Sequence, residues 1–187
     1  MTTRIIRIFD FIFALSGLIV SFPLLLAVTI LGYFDNGSPI FRQERVGKNK
    51  KTFTLIKFRT MVVDTKSVAT HLASASSITK LGAFLRRSKL DELPQLINVL
   101  KGEMSLVGPR PNLFNQIELT TEREALGVYN VLPGVTGLAQ INNIDMSTPK
   151  LLAETDQKMI ISLSLRNYFK YIFMTATGRG SGDAIKK

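Results

Sequence analysis

Two adjacent carboxylic acids precede a proline and an apolar run in residues 90–111, which read LDELPQLINVLKGEMSLVGPRP. The acids are Asp91 and Glu92, and Arg110 follows the run between two prolines. Because proline fixes φ, Arg110 loses little conformational freedom on folding, which suits a bidentate grip on phosphate. Carboxylates close to cations and to a helix N-terminus are typical of a site for phosphate and a divalent metal.

The two carboxylates can divide the work of phosphoryl transfer. One can hold Mg²⁺, which neutralises phosphate oxygens, and the other can attack phosphorus to give an aspartyl-phosphate type of intermediate. Arg86 and Arg87 precede the acids, and together with a helix dipole they would keep the nucleophile ionised. A simpler interpretation also stands, in which Asp91 only caps a helix and Glu92 only complements its dipole.

One helix is predicted to carry this pattern, because apolar residues recur at helical spacing over 90–100. Gly102 is expected just past its C-terminal end, where glycine often adopts the left-handed conformation. Pro94 must lie in the first turn, where its missing N–H costs nothing, and this puts Asp91 near the N-cap. Ser88 offers an alternative start with the spacing of a capping box.

Composition narrows the classes of partner and of chemistry. The 187 residues include 24 Lys and Arg against 14 Asp and Glu, which gives a formal net charge of +10. This surplus indicates an anionic partner such as nucleic acid, anionic lipid or a phosphorylated substrate. The chain has no cysteine, which excludes disulfides and thiolate chemistry. Its one histidine, His71, excludes a multi-histidine metal site and is interpreted as a solvated loop residue.

Residues 11–34 form an uncharged segment that is long enough to cross a bilayer as a straight helix of about 36 Å. Pro23 lies at its middle and is expected to break the helix into halves too short to cross alone. Basic residues flank both ends, whereas a spanning helix favours them on the cytoplasmic side. A re-entrant helix that returns to the same face satisfies both observations. A kinked single span and a buried soluble helix are the alternatives.

Beyond the membrane segment, two β-prone runs flank Gly47-Lys48-Asn49 and predict a hairpin. Lys57 and Arg59 are two residues apart, so on a strand they share a face, which indicates either an anion site or a solvated surface. The remaining expectations are a short helix over 79–88, a helix over 113–129, a turn-rich loop over 132–142, an amphipathic helix within 159–174 at the bilayer interface or against the core, and a flexible tail from 178.

Four segments taken in order resemble the bacterial sugar transferases, the small monotopic phosphoglycosyl transferases. They read RIFDFIFAL with the membrane segment, PIFRQERVGKNKKTFTLIKFRTM, LRRSKLDELPQLINVLKGEMSLVGPRP and LPGVTGLAQIN. The resemblance covers nearly the whole chain. It implies an α+β, mostly helical fold with a re-entrant membrane helix broken at Pro23, a small β-hairpin, and amphipathic helices around a cytosolic active site. The implied division is an anchor over 1–36, a catalytic domain over 37–177 and a tail over 178–187.

The function that this resemblance implies is transfer of a sugar 1-phosphate from a UDP-sugar donor to undecaprenyl phosphate, with release of UMP. The implied location is the bacterial inner membrane, with the active site on the cytoplasmic face of the bilayer and Mg²⁺ as cofactor. No nucleic acid is expected as a partner, and the oligomeric state stays open. Two alternatives remain: a metal-assisted hydrolase of nucleotide or lipid diphosphates, and a non-enzymatic basic protein that binds the membrane surface.

Residue roles follow from the same resemblance. Asp91 matches the nucleophile that forms a covalent phosphosugar intermediate, Glu92 matches its metal-binding partner, and Arg110 matches the arginine of a Pro-Arg-Pro loop near the nucleotide. The other positions expected to bind substrate are Lys57, Arg59, Arg86, Thr136 and Gln140.

The chain also departs from the family pattern at three places. Phe22-Pro23 stands where the family commonly has Ser-Pro, Leu132 where an arginine often precedes Pro-Gly, and Asn143-Ile144 where Gly-Arg often follows. The family's sugar preferences are therefore not carried over to this chain.

Overall fold

The computed structural model describes residues 2–63 and 77–178, which are mostly helical. His71 and the tail beyond Gly178 lie outside these residues. The helices described are α1 Thr2–Asn36, α2 Lys80–Ser88, α3 Gln95–Lys101, α4 Ile117–Ala125, α5 Leu138–Ile141, α6 Pro149–Ser162 and α7 Leu165–Ala176. The strands are β1 Ile40–Val46, β2 Thr52–Phe58, β3 Ser105–Val107 and β4 Gly134–Thr136. The predicted fold class, mostly helical with a small hairpin, is confirmed.

The predicted hairpin is formed by β1 and β2. The strands pair antiparallel, with Ile40 opposite Phe58 and Val46 opposite Thr52. A short 3-10 turn joins them, and Asn49 adopts a positive φ of 54° there, which asparagine tolerates better than most residues. The alternation of apolar residues along β2 buries one face of the hairpin in the core.

A second, parallel pair of strands was not predicted. Ser105 in β3 lies opposite Gly134 in β4, and Val107 lies opposite Thr136, inside the segment expected to be a loop. The backbones approach so closely that a Cβ on Gly134 would lie 2.0 Å from the amide nitrogen of Gly108. Three-residue strands leave too short a pattern for sequence periodicity to reveal, and the glycines that signal turns here serve close packing instead.

Two predicted helices have different bounds in the structure. The helix expected over 113–129 is shorter, because only α4 is α-helical and a 3-10 turn follows it. The helix expected within 159–174 is wrong as a single element. Leu163 is extended, and the Ser164 hydroxyl accepts a hydrogen bond from the Asn167 amide, so a new helix begins there.

Helix α1 runs for 35 residues and continues through Pro23. The predicted division into two separate helices at Pro23 is therefore wrong, whereas a bend of the helix at this proline stays a prediction. Proline removes the backbone donor that would bond to the Ile19 carbonyl. In the preceding turn the Ser21 hydroxyl donates to the Gly17 carbonyl at 2.6 Å, which is a common side-chain bond of serine within helices. Ser21 thus bonds to the backbone near the proline although Phe22 occupies the position before it.

Tertiary packing explains why α1 stays continuous, because the helix packs against the rest of the chain on both sides of Pro23. Ala14 is fully buried in a cluster with Val99 and Met104. Val28 is buried beyond the proline, against Phe58 and Leu85. The opposite face of the helix is exposed and apolar, and by length and composition the helix could cross a membrane.

The N-terminal part of α1 is fixed to the catalytic domain by buried polar contacts. Asp10 is 1% exposed, and its Oδ1 accepts bonds from the Leu106 amide at 2.9 Å and from the Tyr168 hydroxyl at 2.8 Å. Arg7 lies 3.8 Å from Asp10 and donates to the Met104 carbonyl at 3.1 Å. Burial of the Tyr168 hydroxyl beside the Asp10 carboxylate raises the pKa of Tyr168 above its usual value.

Replacing Asp10 by alanine should leave the buried Leu106 amide without its acceptor. We expect the protein to lose about 1–3 kcal/mol of stability, seen as a lower unfolding temperature in detergent. Asp35→Ala is the matched control, because Asp35 is an exposed acid on the same helix. Equal unfolding temperatures for the two variants would contradict this role for Asp10.

Candidate active site

The two acids lie on a 3-10 turn, Leu90–Glu92, that stands between α2 and α3. Lys89 ends α2 in the left-handed conformation, with φ 58°, and turns the chain into this segment. Pro94, which needs no N–H partner, is the N-cap residue of α3. The prediction that Asp91 lies near the N-cap of one long helix is therefore wrong, because α3 starts only at Gln95. Asp91 and Glu92 are 2% and 8% exposed.

Arg110 and Glu92 are brought together across 18 residues of sequence. The Arg110 Nη2 donates to the Glu92 Oε1 at 2.7 Å, and both side chains are partly buried. A charge-assisted bond at low exposure is stronger than a surface ion pair and fixes both groups in orientation. The second carboxylate oxygen of Glu92 takes no part in this bond.

The loop that carries Arg110 is held by its carbonyls. The prolines on both sides of Arg110 have no N–H, so each proline can form a backbone hydrogen bond only through its carbonyl. Each of four consecutive carbonyls accepts a bond from elsewhere in the domain. The donors are the Gly134 amide to Pro109 at 2.8 Å, Arg123 Nη1 to Arg110 at 2.8 Å, Arg45 Nη1 to Pro111 at 3.1 Å and the Val46 amide to Asn112 at 3.0 Å.

Arg123 is the most deeply buried of these donors, at 1% exposure. Its Nε and Nη2 both bond to the Asp156 Oδ2, at 3.0 and 2.6 Å, and its Nη1 also reaches the Asn112 Oδ1 at 2.9 Å. Burial raises the pKa of the Asp156 carboxyl, while the Arg123 guanidinium acts in the opposite direction. No sequence pattern indicates this pair, since Arg123 stands among glutamates and resembles a solvated charge on a helix.

Arg86 lies on α2, the helix that leads into the acids. Its Nε donates to the Thr60 hydroxyl at 2.8 Å, just past the end of β2. Helix α2 packs unusually close to this point, because a Cβ on Gly82 would lie 2.0 Å from the Thr60 carbonyl oxygen. The Thr79 hydroxyl caps the helix by accepting from the Gly82 amide at 2.9 Å.

Lys57 lies on β2 and Arg59 directly follows the strand, and both cations lie over the Phe41 ring, at 5.6 and 5.4 Å from its centroid. Lys57 is only 7% exposed. Arg59 turns toward the end of α1, where its Nε donates to the Ser38 carbonyl at 2.9 Å. The two cations thus differ in setting, and the proposed role of Arg59 as a substrate ligand stays a prediction.

Thr136 and Gln140 lie in the segment after the Pro-Gly turn. The Thr136 hydroxyl is bonded to the Thr175 hydroxyl on α7 at 2.5 Å, and the Gln140 Nε2 donates to the Val135 carbonyl at 3.1 Å. Both contacts hold β4 and α5 in place. Whether these two side chains also contact substrate stays a prediction.

Within the described ranges, no group of three or more His, Asp or Glu side chains is placed to hold a metal ion. Asp91 and Glu92 supply two carboxylates on one turn. Mg²⁺ commonly takes one or two protein carboxylates and completes its shell with substrate phosphates and water, so this donor set fits it only together with a phosphorylated ligand.

The architecture and the site agree with the comparisons to known proteins. The family model of the bacterial sugar transferases matches residues 1–179. The chain belongs to the bacterial sugar transferase family.

Individual relatives have more specific names. An uncharacterized sugar transferase of Bacillus subtilis (strain 168) is 44% identical over 137 residues, which cover 73% of this chain and 67% of the relative. The undecaprenyl-phosphate galactose phosphotransferase of Salmonella typhimurium is 33% identical over 190 residues, 91% of this chain and 39% of its own length. The UDP-glucose:undecaprenyl-phosphate glucose-1-phosphate transferase of Xanthomonas campestris pv. campestris is 40% identical over 151 residues, 76% and 31% of the two chains. The chain therefore spans well under half the length of its longer relatives.

Asp156→Asn tests whether the Arg123–Asp156 pair stabilises the loop that carries Arg110. The variant keeps the side-chain shape but leaves the Arg123 charge buried without its counter-ion, which should cost about 3–5 kcal/mol. Thermal unfolding in detergent measures the loss. Glu154→Gln removes the same charge from a less buried position of α6 and should leave the unfolding temperature nearly unchanged. An Asp156→Asn protein as stable as this control would show that the pair does not hold the loop.

Proposed function

We propose that this protein transfers a sugar 1-phosphate from a UDP-sugar to undecaprenyl phosphate and releases UMP. The observation that carries the proposal is the 2.7 Å bond between Arg110 and Glu92 beside Asp91, in a member of a sugar transferase family. A basic protein that only binds membranes gains nothing from burying two acids at this place, whereas phosphoryl transfer needs a carboxylate and a fixed cation together.

The first step is attack by a carboxylate oxygen of Asp91 on the phosphorus that bears the sugar. A new oxygen–phosphorus bond forms, the bond to the bridging oxygen of the diphosphate breaks, and UMP leaves with the bonding electron pair. Arg110 is suited to stabilise the charge that develops on the leaving phosphate, because its loop is anchored before substrate arrives. The carboxylate of Asp91 needs no proton transfer to act as a nucleophile.

In the second step an oxygen of the lipid phosphate attacks the phosphorus of the aspartyl intermediate. The acyl phosphate bond breaks, the Asp91 carboxylate is regenerated, and the product is a lipid-linked diphosphate sugar. Splitting the transfer in this way lets a soluble donor and a membrane acceptor use the site in turn.

We infer that Mg²⁺ takes part and that Glu92, beside Asp91, would hold it. When bound, the ion would neutralise phosphate oxygens of the donor. Chelation of divalent metal should abolish turnover if this assignment is right.

The membrane placement proposed for α1 is re-entrant, with both ends on the cytoplasmic face of the inner membrane. The contacts of Asp10 with Leu106, and of Val28 with Phe58 and Leu85, support it, because both halves of the helix pack on one domain. A helix crossing the bilayer would carry one of these contacts away from that domain. The site would then lie at headgroup depth.

The natural absence of cysteine allows a direct test of this topology. Single cysteines at Thr3 and at Asp35, both exposed, should react with a membrane-impermeant maleimide in inverted vesicles but not in intact cells. Lys150→Cys, on the catalytic domain, gives the reference pattern for a cytoplasmic site. Labelling of either helix end from outside intact cells would overturn the re-entrant placement.

Asp91→Asn should abolish formation of the covalent intermediate, because an amide oxygen is a poor nucleophile. With a donor radiolabelled in the sugar and no lipid acceptor, the wild-type protein should retain label through denaturation and the variant should retain none. Turnover should fall by ~10³-fold or more. Glu118→Gln, a surface acid with the same change in charge, is the control. Full activity in Asp91→Asn would rule out this nucleophile.

The reaction class is tested by incubating membranes that carry the protein with undecaprenyl phosphate and a panel of UDP-sugars while UMP is measured. Release of UMP that depends on the lipid supports the transferase. Release of free sugar phosphate without any lipid would instead establish the metal-assisted hydrolase.

A further inference from the structure

A basic pocket of about 580 Å³ lies where the membrane helix ends and the hairpin begins. Tyr33 in the last turn of α1, Ser38 in the connection, Arg42 on β1 and Arg59 after β2 line it. The pocket shares none of its lining residues with the Asp91, Glu92 and Arg110 cluster. The pocket therefore has its own set of lining residues, of which Arg59 is also among the positions predicted to bind substrate.

Arg59 is held in a fixed orientation at this pocket. Its Nε and Nη2 lie 2.9 and 3.5 Å from the carbonyls of Ser38 and Ile40, and its guanidinium lies over the Phe41 ring. The Arg59 Nη1 donates to no group in the described residues, so this N–H group is available to a ligand. A pre-oriented guanidinium loses little entropy when it binds a phosphate oxygen.

Arg42 supplies a second cation. It is exposed, and it forms no ion pair within residues 2–63 and 77–178. No carboxylate from the described part of the chain lines the pocket, and the nearby acid Asp35 is contacted instead by the Asn36 side-chain amide at 3.4 Å. Two arginines without a lining acid make the pocket a site for an anion.

The position of the pocket along α1 fixes its depth. The exposed residues before it are apolar, with Phe34 82% and Tyr33 63% exposed, and the helix ends at Asn36. Tyrosine is enriched at the level of lipid headgroups, and arginines just beyond an apolar segment meet headgroup phosphates.

We propose that this pocket binds the phosphodiester headgroup of an anionic phospholipid, with Arg42 and Arg59 as its ligands. The proposal rests on the membrane placement of α1 but not on the transfer reaction. The lipid acceptor of the reaction must bring its phosphate to Asp91, whereas none of these lining residues belongs to that cluster. A phosphate bound here is therefore one that does not react, and it would fix the depth and tilt of the protein at the interface.

The test uses the full-length protein, stripped of lipid in a nonionic detergent and titrated with dioleoyl phosphatidylglycerol while its unfolding temperature is followed. We expect a saturable rise for the wild type. For Arg42→Gln the half-saturating lipid concentration should increase by about tenfold or more. Arg166→Gln, which removes an exposed arginine from α7, should change it less than about twofold. Arg59→Gln should increase the half-saturating concentration in the same way. Arg42→Gln is the decisive variant, because the Arg42 side chain makes no contact within the described residues that folding needs.

The competing sources of phosphate give different results. Phosphatidylcholine and inorganic phosphate should produce no saturable rise that depends on Arg42. Equal effects of Arg42→Gln and Arg166→Gln would reduce the site to general surface charge and overturn the proposal. Dependence on Arg42 for undecaprenyl phosphate but not for phosphatidylglycerol would also overturn it, because the pocket would then belong to the acceptor. Binding is measured without turnover, so failure of the transferase assignment and failure of this site are distinguishable.

Discussion

The carbonyl bonds that hold the Pro109–Asn112 loop are the constraint around which the rest of the domain is arranged. Their donors come from three separate places, namely the residue at the start of β4, a helix arginine on α4 and the end of β1. A loop with two prolines cannot join a regular ladder, so it depends on these outside donors. The hairpin, the parallel strand pair and α4 thus all share in placing one guanidinium beside Glu92. The buried Asp156 does not contact the loop itself but orients Arg123, whose side chain donates to the loop.

The same loop is linked to α1 through a short stretch of chain and one hydrogen bond. Strand β3 leads into it directly, and the Leu106 amide in that strand is bonded to Asp10 of α1. Only a few residues of chain therefore separate this contact with α1 from Arg110. Beyond Pro23 the helix meets Leu85 of α2, the helix that delivers the two acids. The anchor thus touches the supports of both halves of the site, which gives the position of the helix a direct influence on the distance between the acids and the arginine.

Local chemistry made part of this structure predictable. The hairpin, the helix capped by Thr79 and the left-handed Gly102 each depend on neighbours a few residues away. The turn that carries Asp91 was harder to predict. Its apolar spacing is that of one continuous helix, but the left-handed Lys89 ends α2 and starts a separate short turn. The β3–β4 pair and the Arg123–Asp156 bond join residues about 30 apart, and no local pattern encodes such contacts. The roles of Asp91 and Glu92 came from resemblance to the family, since their spacing alone fits a capped helix equally well.

The contact between Gly82 and Thr60 limits the substitutions that this structure can accept. Helix α2 meets the end of β2 backbone against backbone, with no side chain between them, so the separation of the two elements cannot be tuned by changing residue size. The two acids follow α2 directly, so the same contact also sets their distance from the hairpin. Other positions, such as the half-buried Leu132 and the exposed Asn143, lie outside this contact. Substitutions there can therefore change the surface of the domain while the distance between the two acids and the hairpin stays the same.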